Sequence, residues 1–448
     1  MSKKIVIIGA HAAGVDAASA CRKKDRSAEI TLITKEKHAG YSRCGLPFVI
    51  GGQIPNFDDL IVFSKAYYKM LKLNLKTETE VLEIDTKNKS LASISRDGKS
   101  ERFDYDKLII STGASSFMPR IRGYDKKGIL ALRTLEDGRK IEQAVKQGSK
   151  SVLVMGAGLI GLETGIALKE RGLKVTVVEM LPQILPAMLD LDMANIVKEI
   201  LEQKGLSILT EKRVEEILGE DKATGVIAGE EQLNADILLS AFGVRANTKL
   251  ASEANIELGE TRAIKTNARM ETNIEDIFAA GDCAEVPNLI THKPSCSQLG
   301  TIAVRQGKVA GTNAGGGYSL FQGVLGSAVT KLFDTEVGST GLTVNAAKKA
   351  RIETVTGTIN SKTRADYYPG AKPIKIKLVV EKESQHLIGA QIIGGEEVTQ
   401  RTNAISFAIQ KNMTISELAK ADTAYAPPLS ETWEPIILAA EILLRKLQ

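Results

Sequence analysis

Apolar runs of four to seven residues recur along the first 280 positions, and two of them open the same pattern. Lys4–Ile8 is a short apolar run that reads as a strand. It is followed by Gly9-Ala10-His11-Ala12-Ala13-Gly14, an alanine-rich stretch with helical character to about Lys24, and a second apolar run over Glu29–Thr34. The order returns at Ser151–Met155, Gly156-Ala157-Gly158-Leu159-Ile160-Gly161, a helical stretch to about Arg171, and the strand Lys174–Val178. Each is a β–turn–α–β unit, and together they are the one internal repeat. Further strands are expected at Tyr105–Ser111, Ala235–Ala241 and Ile277–Ala280.

Between and after these units the pattern changes. Phe63–Leu73 reads as a helical patch, and Glu80–Ile84, Ser90–Ser95 and Arg102–Phe103 alternate as strands, with Asp97-Gly98 as a hairpin turn. From about Leu320 the chain alternates again, over Ala328–Phe333, Arg351–Thr358, Ile374–Val380 and Leu387–Ile393. Two helices are predicted after them, Glu396–Lys411 and Ser430–Leu447. The expected architecture is α/β, with two Rossmann-like dinucleotide-binding domains and a C-terminal α+β domain whose ordinary job is dimerisation.

Composition narrows the class. At 448 residues, 43% hydrophobic and 25% charged, the chain is long enough for about three domains with ample cores. A net charge of +5 is small for this length, which argues against a dedicated nucleic-acid binder and leaves room for local basic pockets. No run of 18 apolar residues is present, so no membrane span is expected. The start runs from Met-Ser-Lys-Lys into a strand without a signal-like apolar stretch. Cysteines at 21, 44, 283 and 296 have neither C-x-x-C nor metal-ligand spacing, so no metal is expected. The expected location is the cytoplasm, with reduced thiols.

The second glycine loop is a complete G-x-G-x-x-G between strand and helix, and Glu179 lies 23 residues after Gly156. Glycines let the backbone approach a pyrophosphate at the helix N-terminus, and the acid suits a ribose 2′-hydroxyl while repelling a 2′-phosphate. NADH is therefore expected over NADPH, held by Gly156, Gly158, Leu159, Ile160, Gly161 and Glu179. The first loop is less regular: His11 replaces the middle glycine, Thr34 ends the second strand, and Glu36 follows two residues later. Gly9, Ala12, Ala13 and Gly14 still make it a dinucleotide turn. Cys44, in Tyr41-Ser42-Arg43-Cys44-Gly45-Leu46-Pro47-Phe48, is the candidate reactive thiol. Arg43 beside it, and a helix beginning near Pro47, would both favour a thiolate.

These units, with Ser111-Thr112-Gly113-Ala114 and Ala280-Gly281-Asp282-Cys283 in this order, resemble the FAD- and NAD(P)H-dependent pyridine nucleotide–disulfide oxidoreductases. Relatives with two redox cysteines carry C-x-x-x-x-C; here position 49 is Val, so the chain resembles the single-cysteine branch. That branch contains coenzyme A–disulfide reductases, NADH oxidases and peroxidases, and persulfide reductases. The resemblance implies an FAD domain over 1–115 and 245–319, an NAD(P)H domain over 116–244 and an interface domain over 320–448. It implies FAD held by the first loop, Lys35, Glu36, Cys44, Thr112, Gly113, Gly243, Gly281 and Asp282, with Arg133 beside them.

Tyr367-Tyr368-Pro369-Gly370 and Ala424-Tyr425-Ala426-Pro427-Pro428 are similar to motifs of the coenzyme A–disulfide reductases. By that match Tyr368 and Tyr425 are catalytic, supplied across a homodimer to the partner's Cys44. Lys23 (with Arg22 beside it), Ser42, Arg43 and Arg305 fall at substrate positions suited to the phosphates of coenzyme A or another small thiol. His11 sits one residue early for the histidine of the peroxidases. Cys283 is expected to be structural, and Cys296 lies in a stretch that approaches the flavin in relatives. The expected reaction is NAD(P)H-driven reduction of a coenzyme A disulfide, persulfide or polysulfide through Cys44. The alternative is an NADH oxidase or peroxidase cycling a Cys44 sulfenic acid, and the reading from another class is an electron-transfer flavoprotein that reduces a protein partner such as a ferredoxin and needs no thiol.

Overall fold

The computed structural model describes residues 2–447, which divide into two compact units. The first comprises 2–117, 133–139 and 244–324; the second comprises 118–132, 140–243 and 325–447.

The first unit is built on a five-stranded parallel sheet. Its order is Ile277–Ala279, Lys107–Ile110, Lys4–Ile8, Glu29–Ile33 and Leu73–Lys76. Ile5, Ile7, Leu32, Ile33, Leu108, Ile109 and Ile110 are fully buried, because a central parallel strand is covered on both faces. The helices Ala12–Lys24 and Gly300–Ala314 lie against each other. A Cβ on Gly307 would come within 2.1 Å of Ala13 O, and one on Gly311 within 2.1 Å of Ala17 O, so only glycine permits that approach. A three-stranded antiparallel sheet, Thr79–Asp85, Ser90–Ser95 and Ser100–Asp104, completes the unit.

The second unit repeats the parallel design, in the order Ser207–Leu209, Lys174–Val178, Ser151–Met155, Ile237–Ser240 and Ile129–Ala131. Beside it stands an antiparallel sheet ordered Ala328–Leu332, Thr335–Gly341, Leu387–Gly394, Pro373–Glu381 and Thr354–Lys362. Helices Val398–Gln410 and Pro435–Leu447 belong to this portion. No helix among the described residues is long and apolar enough to cross a membrane.

The fold departs from the sequence expectation at several places, including helices Leu135–Lys146 and Leu191–Gln203, which no expectation covers, and the strand expected over 351–358, which runs Thr354–Lys362. The helical patch expected over 63–73 shortens to Lys65–Met70, and Leu73–Lys76 becomes the edge strand beside Glu29–Ile33. Helix Gly300–Ala314 has no strong sequence signal, since its glycines and threonines are poor helix formers. Strand Thr335–Gly341 reads as polar, yet Ser339 and Thr340 are buried between two neighbouring strands.

Candidate active site

Cys44 lies in the 3-10 turn Arg43–Gly45, which runs into the five-residue helix Leu46–Ile50 with Pro47 in its first turn. The turn is tied down by the Ser42 N–H, which donates to Leu60 O at 2.8 Å. Among the four cysteines Cys44 alone is exposed. Burial pushes the Cys21 thiol up to about 12, raises that of Cys283, and pushes that of Cys296 up to about 12. Cys283 Sγ donates to the carbonyls of Ile110 and Ala280, and Cys296 Sγ to that of Asp282. Two thiols are thus enclosed, Cys296 is half-buried with its proton held by burial, and Cys44 is exposed.

Glu36 is the hub beside this turn. One carboxylate oxygen, Oε1, pairs with Arg43 Nη2, and Oε2 accepts from the Tyr41 hydroxyl at 2.6 Å. His11 Nε2 lies 3.1 Å from Oε1, at ion-pair distance but off hydrogen-bond alignment, and its ring meets Tyr41 edge-on at 4.6 Å. Burial alone would raise the Glu36 carboxyl, but His11, Arg43 and Tyr41 outweigh it and hold it down to about 2. Burial and the nearby Arg43 lower His11 below the ordinary histidine value, against the pull of Glu36. Arg43 Nη1 donates to Arg133 O at 3.1 Å.

The other expected contacts separate into two kinds. Arg133 Nη2 donates to Asp282 Oδ2 at 2.6 Å and its Nε to Ala114 O at 3.1 Å, so these two candidate flavin contacts meet. Thr112 donates to Asn247 O at 2.7 Å, and Asn247 Nδ2 returns to Thr112 O at 2.9 Å, clamping the Thr112-Gly113 turn. Arg22, by contrast, spends its guanidinium on the carbonyls of Leu71, Lys72, Asp25 and Arg26. Lys23 and Arg305 are exposed, and Lys35 makes a solvent-exposed pair with Glu80.

The two glycine loops have matching skeletons. Gly9 and Gly156 adopt φ of 105° and 115°, and a Cβ there would strike Ser111 O at 2.1 Å and Ala241 O at 2.3 Å. A Cβ on Gly14 or Gly161 would come within 1.8 Å of Gly9 O or 2.1 Å of Gly156 O, which holds each helix against its strand. At Gly158 nothing lies within 4 Å, so the start of helix Leu159–Glu170 is open for a phosphate. In the first unit Gly113 likewise has open space, and His11 Nδ1 is buried without a hydrogen-bond partner in the protein. Tight glycines beside open backbone and an orphaned ring nitrogen fit a bound dinucleotide. Glu179 accepts from the Ala157 and Leu181 N–H groups, each at 2.9 Å.

Around the C-terminal tyrosine motifs, Tyr367 OH and Tyr425 OH share a hydrogen bond of 2.8 Å, and that bond raises the Tyr367 phenol. Both rings are exposed, as is Tyr368.

Comparison with known proteins identifies the family. The profile of the pyridine nucleotide-disulphide oxidoreductases matches residues 3–307, and that of their dimerisation domain matches 327–436. The chain belongs to this family. It is 45% identical to an NADH oxidase of Methanocaldococcus jannaschii, over 99% of each chain. It is 32% identical to an NAD(P)H coenzyme A polysulfide/persulfide reductase of Pyrococcus horikoshii, again over 99% of each. A solved NAD-dependent persulfide reductase from A. fulgidus superposes with a TM-score of 0.97 at 39% identity, covering 99% of this chain and 83% of that one.

In this oxidoreductase two arrangements escaped sequence reasoning. The hydrogen bond between the Tyr367 and Tyr425 hydroxyls joins the two tyrosine motifs within one chain, a pairing that motif spacing does not show. Arg43 reads in sequence as an unopposed cation, but its guanidinium turns back onto Glu36 and Arg133 O. The displaced acid two residues beyond the strand end was the available clue.

Proposed function

We propose that this protein uses NAD(P)H and FAD to reduce a low-molecular-weight disulfide or sulfur species, a coenzyme A disulfide, persulfide or polysulfide, through Cys44. The observation that carries this reading is the contrast among the thiols: Cys21 and Cys283 are buried, Cys296 is half-buried, and Cys44 alone is exposed, on a tethered turn. The relatives named as persulfide or polysulfide reductases support the substrate class.

In this reading FAD is held by Gly9, Ala12, Ala13, Gly14, Thr112, Gly113, Gly281 and Asp282. NADH, preferred over NADPH, is held by Gly156, Gly158, Gly161 and Glu179. Bound there, the two cofactors supply a two-electron path from nicotinamide to sulfur. The protein's part is the sulfur chemistry. The Cys44 thiolate attacks one sulfur of the disulfide, a Cys44–substrate disulfide forms, and the second sulfur leaves as a thiolate that takes up a proton. Two electrons then cleave the mixed disulfide, restoring the Cys44 thiolate and releasing the second thiol. A phenol suits protonation of a leaving thiolate, and the partner copy's Tyr368 and Tyr425 are proposed for that role in a cytoplasmic homodimer. Exposed Lys23 and Arg305 are proposed for the substrate's phosphates.

A second reading, NADH oxidation by oxygen or peroxide through a Cys44 sulfenic acid, is favoured by the 45% identity to a protein named NADH oxidase. Anaerobic NADH consumption stimulated by coenzyme A disulfide or polysulfide, with a thiol adduct on Cys44 by mass spectrometry, is the expected result. Consumption driven by oxygen or peroxide alone, with a sulfenic acid at Cys44, would overturn the first reading in favour of the second.

A further inference from the structure

The residue that precedes the reactive thiol carries a charge, and a second residue opposes it. Arg43 precedes Cys44 on the same 3-10 turn, and its guanidinium is paired with the Glu36 carboxylate, the side chains being only 23% and 16% exposed. Glu36 belongs to the loop after strand Glu29–Ile33 and also takes the Tyr41 hydroxyl at 2.6 Å. The groups facing the pair are His11 from the glycine loop, Tyr41 from the segment leading to Cys44, and Arg133 across the Arg43 bond. Arg133 has its own counter-ion in Asp282, while Asp137 accepts from the backbone N–H groups of Arg133 and Thr134.

We propose that Glu36 is a positioning residue that holds Arg43 and offsets its charge, so that the Glu36–Arg43 pair, rather than the arginine alone, sets how readily Cys44 ionises. The inference deepens the reading of Cys44 as the reacting thiol and rests on it. A compensated ion pair exerts little net field on a neighbouring thiol. An uncompensated cation favours the thiolate, and an uncompensated carboxylate disfavours it. Removing either partner therefore shifts Cys44 in opposite directions, and removing both cancels. A merely structural role for Glu36 predicts no such sign reversal.

The test is the pH dependence of Cys44 alkylation by iodoacetamide in the FAD-loaded protein, followed by mass spectrometry of the Cys44 peptide, which separates it from half-buried Cys296 and from buried Cys21 and Cys283. In Glu36→Gln the midpoint falls by roughly 0.5–1 pH unit, and in Arg43→Gln it rises by a similar amount, a change of about three- to tenfold in acid constant. The double variant returns to the wild-type midpoint, and Arg43→Lys stays near it. If Glu36→Gln does not fold, the double variant decides alone, because an arginine acting without Glu36 would leave there the raised midpoint of Arg43→Gln. Midpoints that stay fixed, or that move in the same direction in both single variants, overturn the proposal. Failure of the underlying reading has a separate signature, disulfide turnover that survives Cys44→Ser.

Discussion

The two glycine loops share a skeleton and differ in what their acids do. In the second unit Glu179 turns back and accepts from Ala157 and Leu181, bracing the loop that it follows in sequence. In the first unit Glu36 turns the other way, to Arg43 and Tyr41 on the segment that carries Cys44. The middle position differs in step: Gly158 leaves the helix start bare, while His11 fills it with a ring that faces Glu36. A repeated strand–turn–helix unit thus fixes backbone shape, and the side chains that reach its acid decide whether that acid serves the loop or a neighbouring thiol.

The largest expected effect tests whether the first unit is specialised for sulfur chemistry. Cys44→Ser is expected to lower turnover with coenzyme A disulfide by at least roughly a thousandfold, because no other exposed cysteine can replace the nucleophile. Anaerobic bleaching of the flavin by NADH should persist, since the second unit is untouched. Stopped-flow absorbance separates the two steps; loss of both would mean that the substitution had damaged the fold.

The shared skeleton is tested next. Gly14→Ala places a Cβ 1.8 Å from the Gly9 carbonyl, a backbone clash that no rotamer relieves. A loss of about 3 kcal/mol or more is expected, with weakened FAD retention, as read by urea unfolding and flavin absorbance. Gly161→Ala, 2.1 Å from Gly156 O, is expected to behave alike. Tolerance of either would mean that the helix is not held tightly against its strand.

Much of this was legible in the chain, because the central strands Lys4–Ile8 and Ser151–Met155 are buried on both faces and so read as continuous apolar runs. The edge strand Leu73–Lys76 was not, since half-exposed edge positions lose that signature. Helix Gly300–Ala314 was hidden for the opposite reason: Gly307 and Gly311, which lower its intrinsic propensity, are the residues that let it pack on Ala12–Lys24. Within the site, motif spacing located Cys44, Glu179 and the loops. It did not show where Arg43 turns, because the partner that captures it lies seven residues away and depends on the loop's path.

Acid should test how firmly the first unit holds the Glu36 carboxylate ionised. Glu36 has a folded pKa of about 2 against an ordinary 4.5, so it binds fewer protons folded than unfolded. Its contribution is fully present above about pH 4.5 and is lost as the pH falls through about 2. The shift corresponds to about 3 kcal/mol at most. His11, lowered by burial, adds in the same direction: the unfolded chain takes up its proton first, so stability begins to fall below the ordinary histidine value. Denaturant midpoints of wild type and Glu36→Gln are expected to converge as the pH is lowered from 5 toward 2.5. Parallel curves would mean that Glu36 is not held ionised by its neighbours.

Gly158→Ala carries the smallest effect and isolates the second loop's function from its folding. The position has φ of −80°, which any L-residue adopts, and nothing lies within 4 Å of where the alanine methyl would stand, so the protein has no reason to lose stability. The open space is where a pyrophosphate would approach the helix start, and a methyl there keeps the phosphate off the backbone N–H groups. The KM for NADH is expected to rise about tenfold, about 1.4 kcal/mol of binding, with an unchanged melting temperature and an unchanged pH profile for Cys44 alkylation. The equivalent position of the first unit offers the contrast. His11→Gly removes a buried ring that packs on Tyr41 and faces Glu36, so it should move the Cys44 profile while leaving the KM for NADH alone. If Gly158→Ala moved the thiol profile, or His11→Gly moved the NADH constant, the two loops would not be divided in labour as their acids imply.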